Sequence, residues 1–322
     1  MPELPEVETT ARSLREHLVG RRALVASGVD WPRMLPNSTA EEISALLGQQ
    51  VVVAVDRRGK YLLLEFEGGL TLAVHRKMSG NLLLVPKATE AYPHTHFVLD
   101  FDDDQQLRLV DMRKFGRVYL FRTPAELAEF LGARLGPEPL GPRLDVRILH
   151  ARFARRTVPI KTALLDQSVL AGVGNLYADE ALWEARIHPL QPANSLSRSL
   201  IGRLVDAVRH VLEQAILLRG TSFSTYLDAD GTEGTNQHFL HAYGREGQPC
   251  PRCGTAIARI RLGQRSAYFC PRDQRLRRAA ARIPTPPEAS RSGLRNGTGR
   301  PRPAEATPAA TAPAPPAAGD RR

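Results

Sequence analysis

The chain of 322 residues is 42% hydrophobic and 24% charged, with a net charge of +10. That length and apolar content suffice for two domains with separate cores. No apolar run approaches the length of a membrane span, and the N-terminus lacks the basic and apolar regions of a secretory signal. These features argue against a helical membrane protein and a secreted one, and a cytosolic bacterial-type protein is the expectation.

At the N-terminus, Val7, Ala11, Leu14 and Leu18 recur at helical spacing, and Gly20 supplies a stop. Ahead of that helix stands Met1-Pro2-Glu3-Leu4-Pro5-Glu6. Removal of Met1 would leave Pro2 with a free secondary amine beside a carboxylic acid, a nucleophile next to a proton donor. An alpha-amine titrates near about 8 against about 10.4 for lysine, so more of it is free base at neutral pH and available for Schiff-base chemistry. The same residues also suit a plain helix start, with Pro in the first turn and acids favoured by the dipole.

Segments 50–55, 61–66, 70–75 and 81–85 then read as strands, with a hairpin turn at Gly68-Gly69. Segments 96–101 and 106–110 form a second hairpin through the acidic turn 102–104, and 116–121 adds another strand. Gly136-Pro137-Glu138-Pro139-Leu140-Gly141-Pro142 breaks the pattern and marks a linker. Beyond it helices are expected at 146–155, 161–167, 178–185 and 196–218, followed by a short Cys-containing hairpin. A β domain joined to a helical domain leaves a cleft between them, a common place for a binding site.

The positive charge gathers toward the end: residues 245–282 hold ten Arg and two acids, residues 283–322 hold six Arg and three acids, and the remainder is close to neutral. Such clustering marks either a solvated face or the place where a polyanion binds. From 283 onward the composition of Pro, Ala, Thr, Gly and Arg predicts disorder. The expected domains are therefore 1–135, 136–244, the hairpin 245–282 and the tail 283–322.

Two of the expected helices are joined by Ala171-Gly172-Val173-Gly174, which places Asn175 at the start of the second, where backbone amides and a side-chain amide suit a phosphate oxygen. With the N-terminal Pro-Glu-Leu-Pro-Glu-Val-Glu-Thr and the terminal Cys hairpin, this segment resembles the formamidopyrimidine-DNA glycosylase and endonuclease VIII superfamily, from Pro2 to about Gln274. Leu4 and Val7-Glu8-Thr9 are similar to the formamidopyrimidine branch. The resemblance implies an α+β fold of two domains: an antiparallel β-sandwich with an N-terminal helix, and a helical domain carrying a helix-two-turns-helix motif and a zinc-finger-like hairpin.

The resemblance also implies roles. Pro2 attacks the anomeric carbon of a damaged deoxynucleotide, Glu3 serves as acid or base, and Glu6 supports the site. Lys60 belongs to β-elimination, and Arg265 grips the phosphates beside the lesion and belongs to δ-elimination. Met78, Arg113 and Phe115 fill the stack when the nucleotide is flipped out, with Arg113 facing the widowed base. His75, His94, Arg156, Lys161 and Asn175 hold phosphates, contacts that give affinity rather than sequence choice. The implied partner is damaged double-stranded DNA, met by a monomer, and the polar segment 221–244 is the loop over the flipped base.

The Cys hairpin departs from the family's two C-x-x-C pairs. Cys250, Cys253 and Cys270 take three positions and Asp273 the fourth, and the chain has no other cysteine. A carboxylate oxygen binds zinc at about 2.0–2.2 Å and preserves the formal charge of the site. One structural Zn2+ held by three thiolates and Asp273 is expected; a hairpin that stands without metal is the alternative. The implied function is a bifunctional glycosylase and lyase for 8-oxoguanine and formamidopyrimidines. An enzyme for oxidised pyrimidines and a non-catalytic lesion binder are the competing readings.

Overall fold

The computed structural model describes residues 2–142, 144–223 and 226–277. The expected tail and the last residues of the expected hairpin, 278–322, lie outside the described residues.

Helix α1 (Leu4–Leu18) starts on a capping box. The Glu3 carboxylate accepts from the third-position amide and the Glu6 side chain reaches back to the Glu3 amide, with Pro5 in the first turn. Its apolar stripe, Val7, Ala11, Leu14 and Leu18, is buried against two antiparallel four-stranded sheets. In one sheet the order is β1 (Ala23–Ser27), β6 (Thr95–Phe101), β7 (Gln105–Val110), β5 (Asn81–Pro86); in the other it is β2 (Val52–Arg58), β3 (Tyr61–Phe66), β4 (Thr71–His75), β8 (Arg117–Phe121). Alternate residues such as Phe97, Leu99 and Leu107 from one sheet and Leu62, Leu64 and Val74 from the other fill a shared core.

The strand β3 is buried on both faces, because Tyr61 and Leu63 on its far side pack under helix α3 (Pro124–Gly132). That helix, helix α2 (Ala40–Leu47) and β1 are absent from the sequence expectation. Both helices carried legible starts, the Thr39/Glu42 capping box and the Thr123 cap with Pro124 in the first turn.

Beyond the linker, helices α4 (Val146–Phe153), α5 (Ile160–Leu165), α6 (Asn175–Glu184) and α7 (Arg198–Leu217) surround a second core. Helix α6 begins at Asn175, where the Gly172-Val173-Gly174 segment placed it, three residues ahead of the start at 178 drawn from the helical pattern; Gly174 adopts the extended cap conformation. Strands β9 (Ala258–Leu262) and β10 (Arg265–Phe269) form the terminal hairpin around Gly263, whose φ of 58° lies in the left-handed region that favours glycine. No helix among the described residues is long and apolar enough to cross a membrane.

Two clasps join the layers. Leu4 belongs to the helical core although its helix lies on the sandwich, and its amide donates to the Gly172 carbonyl at 3.0 Å. In the other direction, Ala229 packs into the sandwich core, and its carbonyl accepts from the Leu84 amide at 2.9 Å.

Candidate active site and nucleic-acid interface

The first of these clasps lies at the first turn of α1. Pro2 is buried directly ahead of Glu3. The Glu3 carboxylate accepts from the amides of Gly174 at 2.6 Å, Leu176 at 3.0 Å and Tyr177 at 3.4 Å. It therefore occupies the N-terminus of α6, where free amides and the helix dipole favour a negative charge. This corrects the expectation that those amides await a phosphate: the protein's own carboxylate already fills them. A side chain at Gly174 would place its Cβ 2.3 Å from Glu3 Cδ, so glycine there is a requirement of the carboxylate.

Glu6 is enclosed behind Glu3. Its carboxylate accepts from the Glu3 amide at 2.8 Å, the Thr221 amide at 2.9 Å and the Tyr177 hydroxyl at 2.5 Å. Burial pushes its carboxyl above the usual range, with the Tyr177 bond working the other way. Tyr177 and Thr221, which join at 3.0 Å through their oxygens, are site residues that the sequence pattern did not single out.

Lys60 lies in the turn between β2 and β3 and is buried. Burial lowers its ammonium below the ordinary lysine value, and Arg265 adds to this, while the Glu3 and Glu6 carboxylates oppose it. The turn is braced by Glu138 from the linker, which accepts from the Gly59 amide at 2.5 Å, from Arg58 at 2.7 Å and from Arg57 at 2.8 Å. Arg265 begins β10 and is exposed.

Lys161 departs from its expected role. Its ammonium is buried, 2.7 Å from the Asp179 carboxylate and 2.6 Å from the Ser266 carbonyl, so it ties α5, α6 and β10 together rather than meeting a phosphate. Asp179 also accepts from the Tyr268 amide at 3.1 Å, which holds the hairpin bearing Arg265 against α6.

Met78 and Phe115 are each 42% exposed, an accessibility that a wedge into DNA needs. The Arg113 guanidinium lies 4.9 Å from the centre of the Phe115 ring. Met78 and Phe115 each directly follow a lysine in the left-handed conformation, Lys77 at φ 56° and Lys114 at φ 54°. Buried Asp111 links the two loops, accepting from Ser79 Oγ at 2.6 Å, from the Gly116 amide at 2.7 Å and from the Arg113 amide at 3.3 Å. Its place two residues before Arg113 is an Asx-turn signal that sequence analysis had available.

Around this line, His94 sits in a turn at φ 67°, and its carbonyl accepts from the Asp111 amide. His75 Nδ1 accepts from the Lys77 amide at 3.0 Å, and burial lowers its pKa to about 3, so any phosphate contact it makes comes from a neutral ring. Arg156 is partly exposed and pairs with Asp166 at 2.9 Å. Asn175 opens α6 with its Oδ1 buried and free of hydrogen bonds.

At the far end of the hairpin, one ligand atom each from Cys250, Cys253, Cys270 and Asp273 lies within 4.8 Å of the others. Trp183 Nε1 and the Asp273 amide, both at 3.4 Å, donate to the sulfurs of Cys250 and Cys270. Asp273 Oδ2 is buried without a hydrogen bond, 3.1 Å from Arg252 Nε. Three convergent thiols and an under-satisfied carboxylate fit one structural zinc.

Known proteins resemble this chain in sequence and in fold. The family models for the formamidopyrimidine-DNA glycosylase N-terminal domain, its H2TH domain, and the zinc finger found in FPG and IleRS match residues 1–118, 135–226 and 247–276. The formamidopyrimidine-DNA glycosylase of Herpetosiphon aurantiacus is 48% identical over 84% of this chain and 98% of its own length. That of Lactiplantibacillus plantarum is 42% identical over 86% and 100%. Among solved structures, Lactococcus lactis Fpg in complex with abasic-site DNA superposes with a TM-score of 0.79 at 37% identity, covering 85% of this chain and 99% of the other. Thermus thermophilus MutM gives 0.77 at 39%, covering 86% and 100%. Matched domain by domain and over nearly the full length of its relatives, the chain belongs to the formamidopyrimidine-DNA glycosylase family.

Proposed function

We propose that this DNA glycosylase and abasic-site lyase of base excision repair excises oxidised purines, 8-oxoguanine and formamidopyrimidines, from duplex DNA through the amine of Pro2. The amine attacks C1′ of the flipped nucleotide, the glycosidic bond breaks, and the base leaves with a proton. The sugar ring opens as O4′ takes a proton, and the secondary amine becomes an iminium ion on C1′. Loss of a C2′ proton then expels the 3′ phosphate, and a further elimination expels the 5′ phosphate. Glu3 serves the proton transfers, Lys60 the first elimination and Arg265 the second. Met78, Arg113 and Phe115 fill the vacated stack. His75, His94, Arg156 and Asn175 contribute phosphate contacts, and Lys161 positions the hairpin. Cys250, Cys253, Cys270 and Asp273 would hold a zinc ion that cross-links the hairpin carrying Arg265.

The observation that carries this reading is the Glu3 carboxylate, fixed by three backbone amides immediately after Pro2. A related MutM was solved with DNA containing carbocyclic 8-oxo-G, which supports the purine class. The domains proposed are 1–135, 136–244 and 245–282, acting as a monomer in the bacterial cytoplasm. Borohydride trapping on duplexes with 8-oxoguanine or dihydrouracil tests the function: a covalent adduct with 8-oxoguanine that disappears in Pro2→Gly is expected. Trapping that survives the substitution contradicts the Pro2 role, and a preference for dihydrouracil contradicts the purine class.

A further inference from the structure

Helix α6 has two charged ends. Its N-terminus holds Glu3, whereas just past its C-terminus Arg186, at φ 54°, opens onto a surface cavity of about 650 Å³. Ten helical residues separate the two ends, about 15 Å at 1.5 Å per residue. The cavity is lined by Arg186, Arg203, Arg272, Arg275 and Arg277, with Leu276 and Asp273. All five arginines are exposed, and none has a carboxylate partner among the described residues. The one carboxylate in the lining, Asp273, is already engaged with Arg252 at 3.1 Å.

This cluster is held in place rather than loosely tethered. The Arg277 amide donates to Gln191 Oε1 at 3.0 Å, and Gln191 Nε2 donates back to the Arg277 carbonyl at 3.1 Å. Buried Gln274 donates to the Ile187 carbonyl at 2.8 Å and accepts from the Cys270 amide at 2.7 Å. The segment with three of the arginines is thereby fastened to the segment following Arg186. Five guanidiniums with no carboxylate partner among the described residues repel one another, a cost that a bound polyanion would relieve.

We propose that this cavity is a second DNA-backbone site. It takes the phosphates of a duplex segment other than the one bearing the lesion, so that one molecule bridges two segments and passes directly between them. Guanidinium forks match phosphate oxygens, and among the described residues the lining offers only Leu276 as apolar anchorage, which favours a phosphodiester backbone over an acidic peptide. The inference rests on the chain being a DNA-binding enzyme, and it places the second contact at the opposite end of α6 from the catalytic carboxylate.

The test uses the full-length protein loaded on a fluorescent lesion-free duplex long enough for one footprint, with dissociation followed as unlabelled duplex is added. A dissociation rate that climbs in proportion to competitor concentration is expected. In the triple variant Arg186→Ala, Arg203→Ala, Arg275→Ala that slope should fall at least about tenfold, through loss of phosphate contacts. Its single-turnover excision on a short lesion duplex and its melting temperature should stay those of the parent. A parent rate independent of competitor, or a variant that keeps the slope, overturns the proposal. Poly-glutamate that accelerates dissociation as well as duplex does at equal charge overturns it in favour of an acidic protein partner. Borohydride trapping on the same preparation tests the glycosylase reading separately.

Discussion

Three amides and a missing side chain set the position of the Glu3 carboxylate, which makes Gly174 as consequential as the acid itself. The Gly174→Ala variant should fold, yet its Cβ would fall 2.3 Å from Glu3 Cδ and drive the carboxylate off the helix terminus. Single-turnover excision should drop by about a hundredfold, the scale of an ångström misplacement of a reacting group. At Lys60 the argument concerns pH. Burial lowers its ammonium from the reference value of 10.5, so the free amine appears at lower pH than for an exposed lysine. Cleavage of a preformed abasic site should rise with pH and level off below 10.5, and Lys60→Arg should remove that plateau. A pH–rate profile on abasic duplex checks both.

Among the elements, α6 carries the most functions: it holds Glu3 at its start, offers Tyr177 to Glu6, and anchors the hairpin through Asp179. Burial works against both members of the Lys161–Asp179 pair, raising the Asp179 carboxyl to about 7 and lowering the Lys161 ammonium. Removing one partner strands a buried charge, so Lys161→Met should destabilise the fold by about 3–5 kcal/mol. The double variant Lys161→Met, Asp179→Leu should recover much of that loss in chemical denaturation. A phosphate-contact role would instead show weaker DNA binding with unchanged stability. The wedge loops teach a related lesson. Met78, Arg113 and Phe115 were singled out through their motifs, but the Asp111 bridge between the loops depends on Ser79 and Asp111, 32 residues apart, meeting in space.

For the whole molecule, the terminal hairpin carries both Arg265 and the four candidate metal ligands. If zinc cross-links it, purified protein should carry one equivalent, and Asp273→Cys should lose metal to a chelator more slowly, because the Arg252 ion pair no longer competes for the fourth ligand. Elemental analysis checks this, and less than about a tenth of an equivalent in fully active protein contradicts it. The sequence by itself determined what local chemistry and periodicity encode: the α1 stripe, most strands, the Pro2-Glu3 pair, and the three-cysteine hairpin with its Asp273 substitution. It also carried unread signals, since the caps before α2 and α3 were present in the chain. Only the tertiary structure decided how distant polar groups partner. It gave the α6 amides to Glu3 rather than to a phosphate, and buried Lys161 against Asp179. The physical reason is that helix ends and buried charges are satisfied by whatever group the fold brings within hydrogen-bond reach, and sequence spacing does not record which group that is.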